Sequence, residues 1–531
     1  MTSATPPSRA ALLLAAVLVA SIDAQSGGNR CTLDADCQYD GCLTENGVTY
    51  PAWCNLPQLG GACWHGDATS GTHACAPPPA AWVTAQLSAQ LVAQRYQGRF
   101  SYPLQEACSS WSETQPPPGA SVDPHAGMDM SGRRTRRRVQ AGAGAAQVRM
   151  NYLAAELVFW DYAPAGEDVI KGASFTPPSS ASASSADGHG DHTHAGRRRI
   201  LQGGGAHAMH MPGTWMANSR SPFRIGRHYL KMVFKEYTDH TFTALKPRSA
   251  EDEHLGLLGP TLRAEVGDTI QVVFRNHAPS GFSFSMHPHG VQYTKQNEGA
   301  DYADGSDLTG DAVAPGACAY YQWEVPESAG PGPGDQSTKA WLYHGHVSET
   351  GDTNAGLVGA IIIGRAGATA SATRKPTDVD REFVTLFSIL DENDSPLLPE
   401  NARLRLGLDP TLNASALKAL AMDEEFKESN QMHAINGYVY GNLPGLTMTQ
   451  GEVVRWHVMG LGNQEDIHTP HWHGQALLLG GAALAQRVDV VNILPATQLT
   501  LQARMENVGT WLYHCHVNHH IHAGMTALYT V

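Results

Sequence analysis

The chain has 531 residues, 42% of them hydrophobic, and a formal net charge of -14 at pH 7. That is enough apolar sequence for more than one core, while the acid excess argues against nucleic-acid partners and favours cationic ones. The unusual feature is the content of soft and borderline ligands, with 9 cysteines and 26 histidines.

In chain order, Arg9 precedes the apolar run ALLLAAVLVA at 11–20 and a small-residue exit at Ile22-Asp23-Ala24, so residues 1–24 read as a signal peptide. The run is too short for a membrane anchor, and no other long apolar stretch follows, so the product is expected to be secreted or held at the cell surface without a transmembrane segment. Residues 25–80 carry Cys31, Cys37, Cys42, Cys54, Cys63 and Cys75 in an aliphatic-poor stretch, which reads as a small disulfide-rich module with a zinc module as the competing reading. Cys108 and Cys318 are left to pair with each other or stay free. Residues 81–147 form a linker, low in complexity in part, with RRTRRR at 133–138.

A first β domain is expected over 148–366, interrupted by a His- and Arg-rich low-complexity insert at about 171–222, and a second over 378–531. The short runs TIQVVFRN at 269–276, EFVTLFSIL at 382–390 and EVVRWHVMG at 452–460, bounded by Gly, Pro and Asn, have the character of antiparallel sandwich strands. A few helical turns, such as SALKALAMDEEF at 415–426, interrupt an otherwise all-β pattern. The acidic run EGADYADGSD at 298–307 is a candidate for binding calcium or for proton delivery.

Four histidine clusters carry the chemistry: His287-Pro-His289, His344-Gly-His346, His468-Thr-Pro-His471-Trp-His473 and His514-Cys515-His516. On a strand, residues two apart share a face, so each HxH pair points one way while Cys515 points the other. His468 lies an odd number of positions from His471 and joins Cys515 on the opposite side. With His520 and Met525 downstream, this makes a two-imidazole, thiolate and thioether set, the donors of a blue-copper centre. The eight remaining imidazoles, His287, His289, His344, His346, His471, His473, His514 and His516, need another metal site, and beside such a thiolate centre copper is favoured over zinc.

The clusters belong to an internal repeat. AWLYHGH at 340–346 matches TWLYHCH at 510–516, MHPHG at 286–290 matches PHWHG at 470–474, and NAGLVGAIIIG at 354–364 matches HAGMTALYTV at 522–531. The first copy has Gly345 for Cys515, Phe284 for His468 and Leu357 for Met525, so it lacks the thiolate centre and keeps only four histidines. Neither copy alone completes an eight-histidine site, which therefore belongs at an interface between a first-type and a second-type domain.

Residues 148–531 resemble the multicopper oxidases, specifically the ceruloplasmin and hephaestin branch of ferroxidases. The resemblance is carried by AAELVFWDYAP, FKEYTD, LGLLGPTLRAEVGD, REFVTLFSILDEN, FKESNQMHAINGYVYGNLPGLTM and HCHVNHHIHAGM. It implies two cupredoxin-like Greek-key sandwiches and four coppers: type 1 on His468, Cys515, His520 and Met525, type 2 on His287 and His471, and a type 3 pair on His289, His344, His346, His473, His514 and His516. It also implies that electrons from ferrous iron enter at the type 1 centre and pass from Cys515 through its neighbours His514 and His516 to a cluster that reduces dioxygen to water.

Glu428 and His433 match two ligands of that branch's iron site. His519 stands where the branch has an acid, and Gln464, with Glu465 adjacent, where it has a glutamate. A laccase-like oxidase of phenols or amines, a cuprous oxidase and a non-catalytic interaction protein are the alternatives. By analogy with six-domain relatives that close a ring, a homotrimer with an intersubunit trinuclear site is expected, with an iron permease as a candidate partner.

Overall fold

The computed structural model describes residues 42–45, 48–51, 146–175, 215–220, 223–303, 310–408, 413–481 and 485–531. The expected signal peptide, most of the cysteine-rich module, the linker and the centre of the His- and Arg-rich insert lie outside these residues. Contacts divide the chain into the units Met1–Gln86 and Leu87–Val531. In the first, Cys42–Glu45 and Val48–Pro51 form an antiparallel hairpin.

The second unit holds two β-sandwiches. In the first, β1 (Val148–Asp161), β2 (His228–Tyr237), β3 (Leu262–Glu265), β4 (Thr269–Asn276), β5 (His287–Pro288), β6 (Cys318–Glu324), β7 (Thr338–His344) and β8 (Val358–Gly364) make sheets of order β6-β4-β1-β2 and β5-β7-β8-β3. In the second, β9 (Arg381–Asp391), β10 (Gln431–Ile435), β11 (Val453–Gly460), β12 (Pro470–Trp472), β13 (Leu477–Leu479), β14 (Gln486–Val488), β15 (Gln498–Arg504), β16 (Thr510–Cys515) and β17 (Thr526–Thr530) make sheets of order β10-β9-β11-β15-β13-β14 and β12-β16-β17. The parallel pairing of β1 with β4 recurs as β9 with β11. The class is thus the mostly-β, double-sandwich one expected, with helices confined to short connections.

Alternation builds each core. β4 buries Ile270, Val272 and Phe274 in the first domain, and β11 buries Val454, Trp456 and Val458 in the second. The flanks of the insert belong to the fold, since Phe175 and Met216 pack in the core on either side of residues 176–214.

The two sandwiches share an apolar seam in which Ala340, Leu342, Val358 and Ile362 of the first meet Val384, Leu386 and Met459 of the second. Buried charges are matched across it. Glu382 on β9 accepts from Arg263 at 2.6 Å and faces His457 Nε2 at 2.9 Å. Lys231 on β2 donates to Glu392 at 2.5 Å, and both are fully buried. A matched pair of this kind fixes how two domains seat more than it adds stability, because desolvation offsets most of the attraction.

Candidate metal centres

β16 leads into the short helix α2 (Asn518–His522), which follows α1 (Glu349–Ala355) of the first repeat, and carries Cys515 and His520 toward His468. All three side chains are buried, and Met525 with them. His468 Nδ1 and His520 Nδ1 lie 3.1 Å apart, and Cys515 Sγ is 3.9 and 3.5 Å from them. Two nitrogens and a sulfur bound to one ion at ordinary bond lengths are separated by roughly 3–4 Å, so the donor set fits a single soft or borderline metal.

Burial alone would raise the Cys515 thiol, but hydrogen bonds from His468, His520 and the N–H groups of Thr469 and Val517 bring it down to about 6. The thiolate is therefore the form present near neutrality. Cys515 N–H donates to the Met525 carbonyl at 3.1 Å, tying the two sulfur-bearing residues by backbone pairing.

Sequence reasoning missed Asp466. Its carboxylate is buried, lies 3.1 Å from His468 Nε2 and accepts the Ile389 N–H at 2.6 Å, so it fixes the ring with Nδ1 turned to Cys515. The signal was present as an acid two residues before the first histidine of the cluster.

The other eight imidazoles form two quartets with the same internal geometry. His287 stands opposite His344 on β5 and β7, and His471 opposite His514 on β12 and β16. Nδ1–H of His287 donates to the Glu298 carbonyl, and Nδ1–H of His471 to the Asp489 carbonyl, both at 2.8 Å. Nδ1–H of His344 and of His514 donate to the carbonyls of Gly345 and Cys515, at 3.0 and 2.8 Å. Each bond commits one ring nitrogen and leaves Nε2 as the metal-facing donor.

His289 Nε2 lies 3.0 Å from His344 Nε2, and His473 Nε2 lies 3.0 Å from His514 Nε2. His346 and His516 complete the quartets, with ring centroids 4.9 Å from His287 and 5.6 Å from His471. Burial lowers His289 and His514 to about 4 and His344 to about 3, so these rings stay neutral, as metal binding requires. Among the described residues, no group able to hold a metal draws on both quartets. The second quartet opens into a cleft of about 500 Å³ lined by His471, His473, Gln475, Arg487 and Asp489.

A further group adjoins the thiolate centre. His433 on β10 has its ring 5.2 Å from both His519 and His520, and Glu428 lies 3.9 Å from His519. His519 therefore stands with the expected pair Glu428 and His433. Gln464 and Glu465 sit on an exposed turn. Of the acidic run 298–307, residues 304–307 lie outside the described ones, and Glu298 pairs with Lys295. Cys318 is disulfide-bonded, which excludes its staying free.

In the first domain the counterpart of the thiolate centre is a cleft of about 330 Å³ that Phe282, Phe284, Val347 and Asp352 help to line. Burial, opposed by the N–H groups of Ser348 and Val347, raises the Asp352 carboxyl to about 7.

Two β-sandwich domains, one with a thiolate and two imidazoles converging in its core and each with an imidazole quartet, define a copper protein of the cupredoxin-like class. Multicopper oxidase family profiles match residues 254–367 and 413–531. Hephaestin of Homo sapiens is 42% identical over 308 residues, covering 58% of this chain and 25% of hephaestin. Ferroxidase HEPHL1 of Mus musculus is 36% identical over 393 residues, covering 73% of this chain and 30% of that protein. Ceruloplasmin of Homo sapiens is 36% identical over 391 residues, covering 72% and 32%. The chain belongs to the multicopper oxidase family, on its ferroxidase-like branch, and its cofactor is copper. It spans about a quarter to a third of the length of these curated relatives.

Proposed function

We propose that the protein is a ferroxidase that removes one electron from each of four ferrous ions and uses them, with four protons from solvent, to reduce one dioxygen to two waters. The observation that carries this reading is the contiguity of the Glu428, His433 and His519 group with His520. A ferrous ion taken up by this group would lie beside the His520 ring, which also faces Cys515.

In this reading Glu428 supplies a hard oxygen that favours the ferric product, and the imidazoles of His433 and His519 hold the ferrous ion. Bound copper supplies the one-electron acceptor at His468, Cys515, His520 and Met525, and the dioxygen-reducing centre at the quartets. The chain does the rest. It keeps water from Cys515 and His468 by burial, fixes His468 through Asp466, and joins the thiolate to the second quartet within three consecutive residues, His514, Cys515 and His516.

We infer further that the active form is a homotrimer in which a first-domain quartet of one subunit faces a second-domain quartet of another. What supports this is that, among the described residues, the two quartets share no metal-capable group, and that the match covers about a quarter to a third of the relatives' length, as three copies of a two-domain chain would require. Export is part of the same reading, supported by the disulfide at Cys318.

The test is oxygen uptake by copper-loaded protein offered ferrous ion or a phenol. Preference for ferrous ion is expected. Preference for the phenol would move the reading to a laccase-like oxidase, and no uptake at all would leave a binding protein.

A further inference from the structure

The first domain keeps its imidazole quartet without the thiolate centre that braces the equivalent quartet in the second. In the second domain the strand end His514-Cys515-His516 is held to α2 through Cys515 Sγ and His520. The first domain has no thiol and no imidazole at those positions, yet His287, His289, His344 and His346 adopt the same arrangement.

The repeat shows what replaces the brace. Counting back from the shared Ala-Gly pair, 355–356 in the first copy and 523–524 in the second, Asp352 occupies the position of His520. Its side chain is 3% exposed and reaches across to the strand end. Oδ2 accepts the N–H of Val347 at 3.0 Å and that of Ser348 at 3.3 Å, the two residues that follow His346.

Gly345 is the complement of this arrangement. Its backbone is not in the left-handed region, so its conformation does not require glycine. Its space does, because a Cβ at 345 would lie 2.9 Å from Asp352 Oδ2 and 2.8 Å from Asp352 Cβ. The absence of a side chain at 345 and the presence of the Asp352 carboxylate there depend on each other. The rest of the bracing is retained in kind: Gly345 N–H donates to the Leu357 carbonyl as Cys515 N–H does to that of Met525, and His346 N–H donates to Ser285 Oγ where His516 N–H donates to Thr469.

We propose that Asp352 is a positioning residue for the first-domain quartet, its buried carboxylate standing in for the thiolate centre as the device that fixes His346 and His344 for copper. The inference rests on the quartets being copper sites and goes beyond that reading in assigning the first domain's bracing to a residue that touches no metal. Removing a partner that holds a ligand in place typically costs 10–100-fold in metal affinity.

The experiment compares copper-loaded wild type with Asp352→Ala, Asp352→Asn and Gly345→Ala, measuring copper per chain, the blue absorption band and the electron paramagnetic resonance of the non-blue copper. Asp352→Ala is expected to keep the blue band at one per chain, which also shows that the chain has folded, while non-blue copper is lost and its affinity falls by about 10–100-fold. Gly345→Ala, which displaces the carboxylate without removing it, is expected to do the same. Asp352→Asn keeps an acceptor oxygen and is expected to retain more copper than Asp352→Ala. Full non-blue copper with wild-type signals in both alanine variants would overturn the proposal. Wild type without any non-blue copper would overturn the reading of the quartets and this proposal together, so the two failures are distinguishable.

Discussion

At the residue scale the protein's chemistry depends on which ring nitrogen each histidine presents. Asp466 settles this for His468, since it takes Nε2 and leaves Nδ1 for the sulfur side. Replacing Asp466 with Asn keeps the volume and removes the charge, and should weaken copper at the thiolate centre by about 10–100-fold. A chelator titration followed through the blue band measures this, and an unchanged affinity would show that His468 is held by packing alone. His433→Ala tests the neighbouring group separately. It removes an imidazole beside His520 without touching Cys515, so KM for ferrous ion should rise by roughly 10-fold or more, while oxidation of a phenol is spared. Equal loss with both substrates would mean that His433 braces the thiolate centre and does not receive the metal.

At the element scale, β9 carries Glu382 into the seam between the sandwiches. Burial would raise its carboxyl, but Arg263 and His457 outweigh it and hold it at about 2, against an ordinary value of 4.5. A carboxyl depressed in the folded state stabilises fully above its unfolded value, and that contribution disappears as pH falls from about 4.5 to about 2. The depression corresponds to on the order of 3 kcal/mol, as an upper figure for a side chain that is 5% exposed. Glu382→Gln should lose stability of that order at neutral pH and flatten the acid dependence over this window, as read by denaturant unfolding of copper-free protein at several pH values. Retention of the wild-type slope would assign the acid sensitivity to another group.

The elements also show what could be read from sequence. Strand parity separates Cys515 and His468 from the HxH pairs, whereas the register that sets His287 opposite His344 and His471 opposite His514 comes from strand pairing. Local periodicity carries such information because it concerns faces of single strands. Asp352 was not legible, because the first copy has two more residues than the second between the HxH pair and the Ala-Gly pair, which hides its equivalence to His520. The pairing of Lys231 with Glu392, 161 residues apart, was not legible either, since each reads as an ordinary surface charge until the two domains are packed.

At the scale of the whole molecule, the proposed assembly separates two kinds of copper, one complete within a domain and one completed between subunits. His468, Cys515 and His520 converge inside one domain, whereas the quartets lie in different domains and, among the described residues, contribute to no common group. If subunits complete one another's quartets, equilibrium sedimentation of copper-loaded protein should give the mass of three chains. Progressive dilution should then remove the non-blue copper signals and oxygen uptake together while the blue band persists at one per chain. Head-to-tail contacts of this sort close into a ring only at a fixed rotation, so uptake should fall more steeply than in proportion to chain concentration, because no smaller species holds a complete set of paired quartets. A monomer that retained every copper signal at high dilution would require the two quartets to meet within one chain.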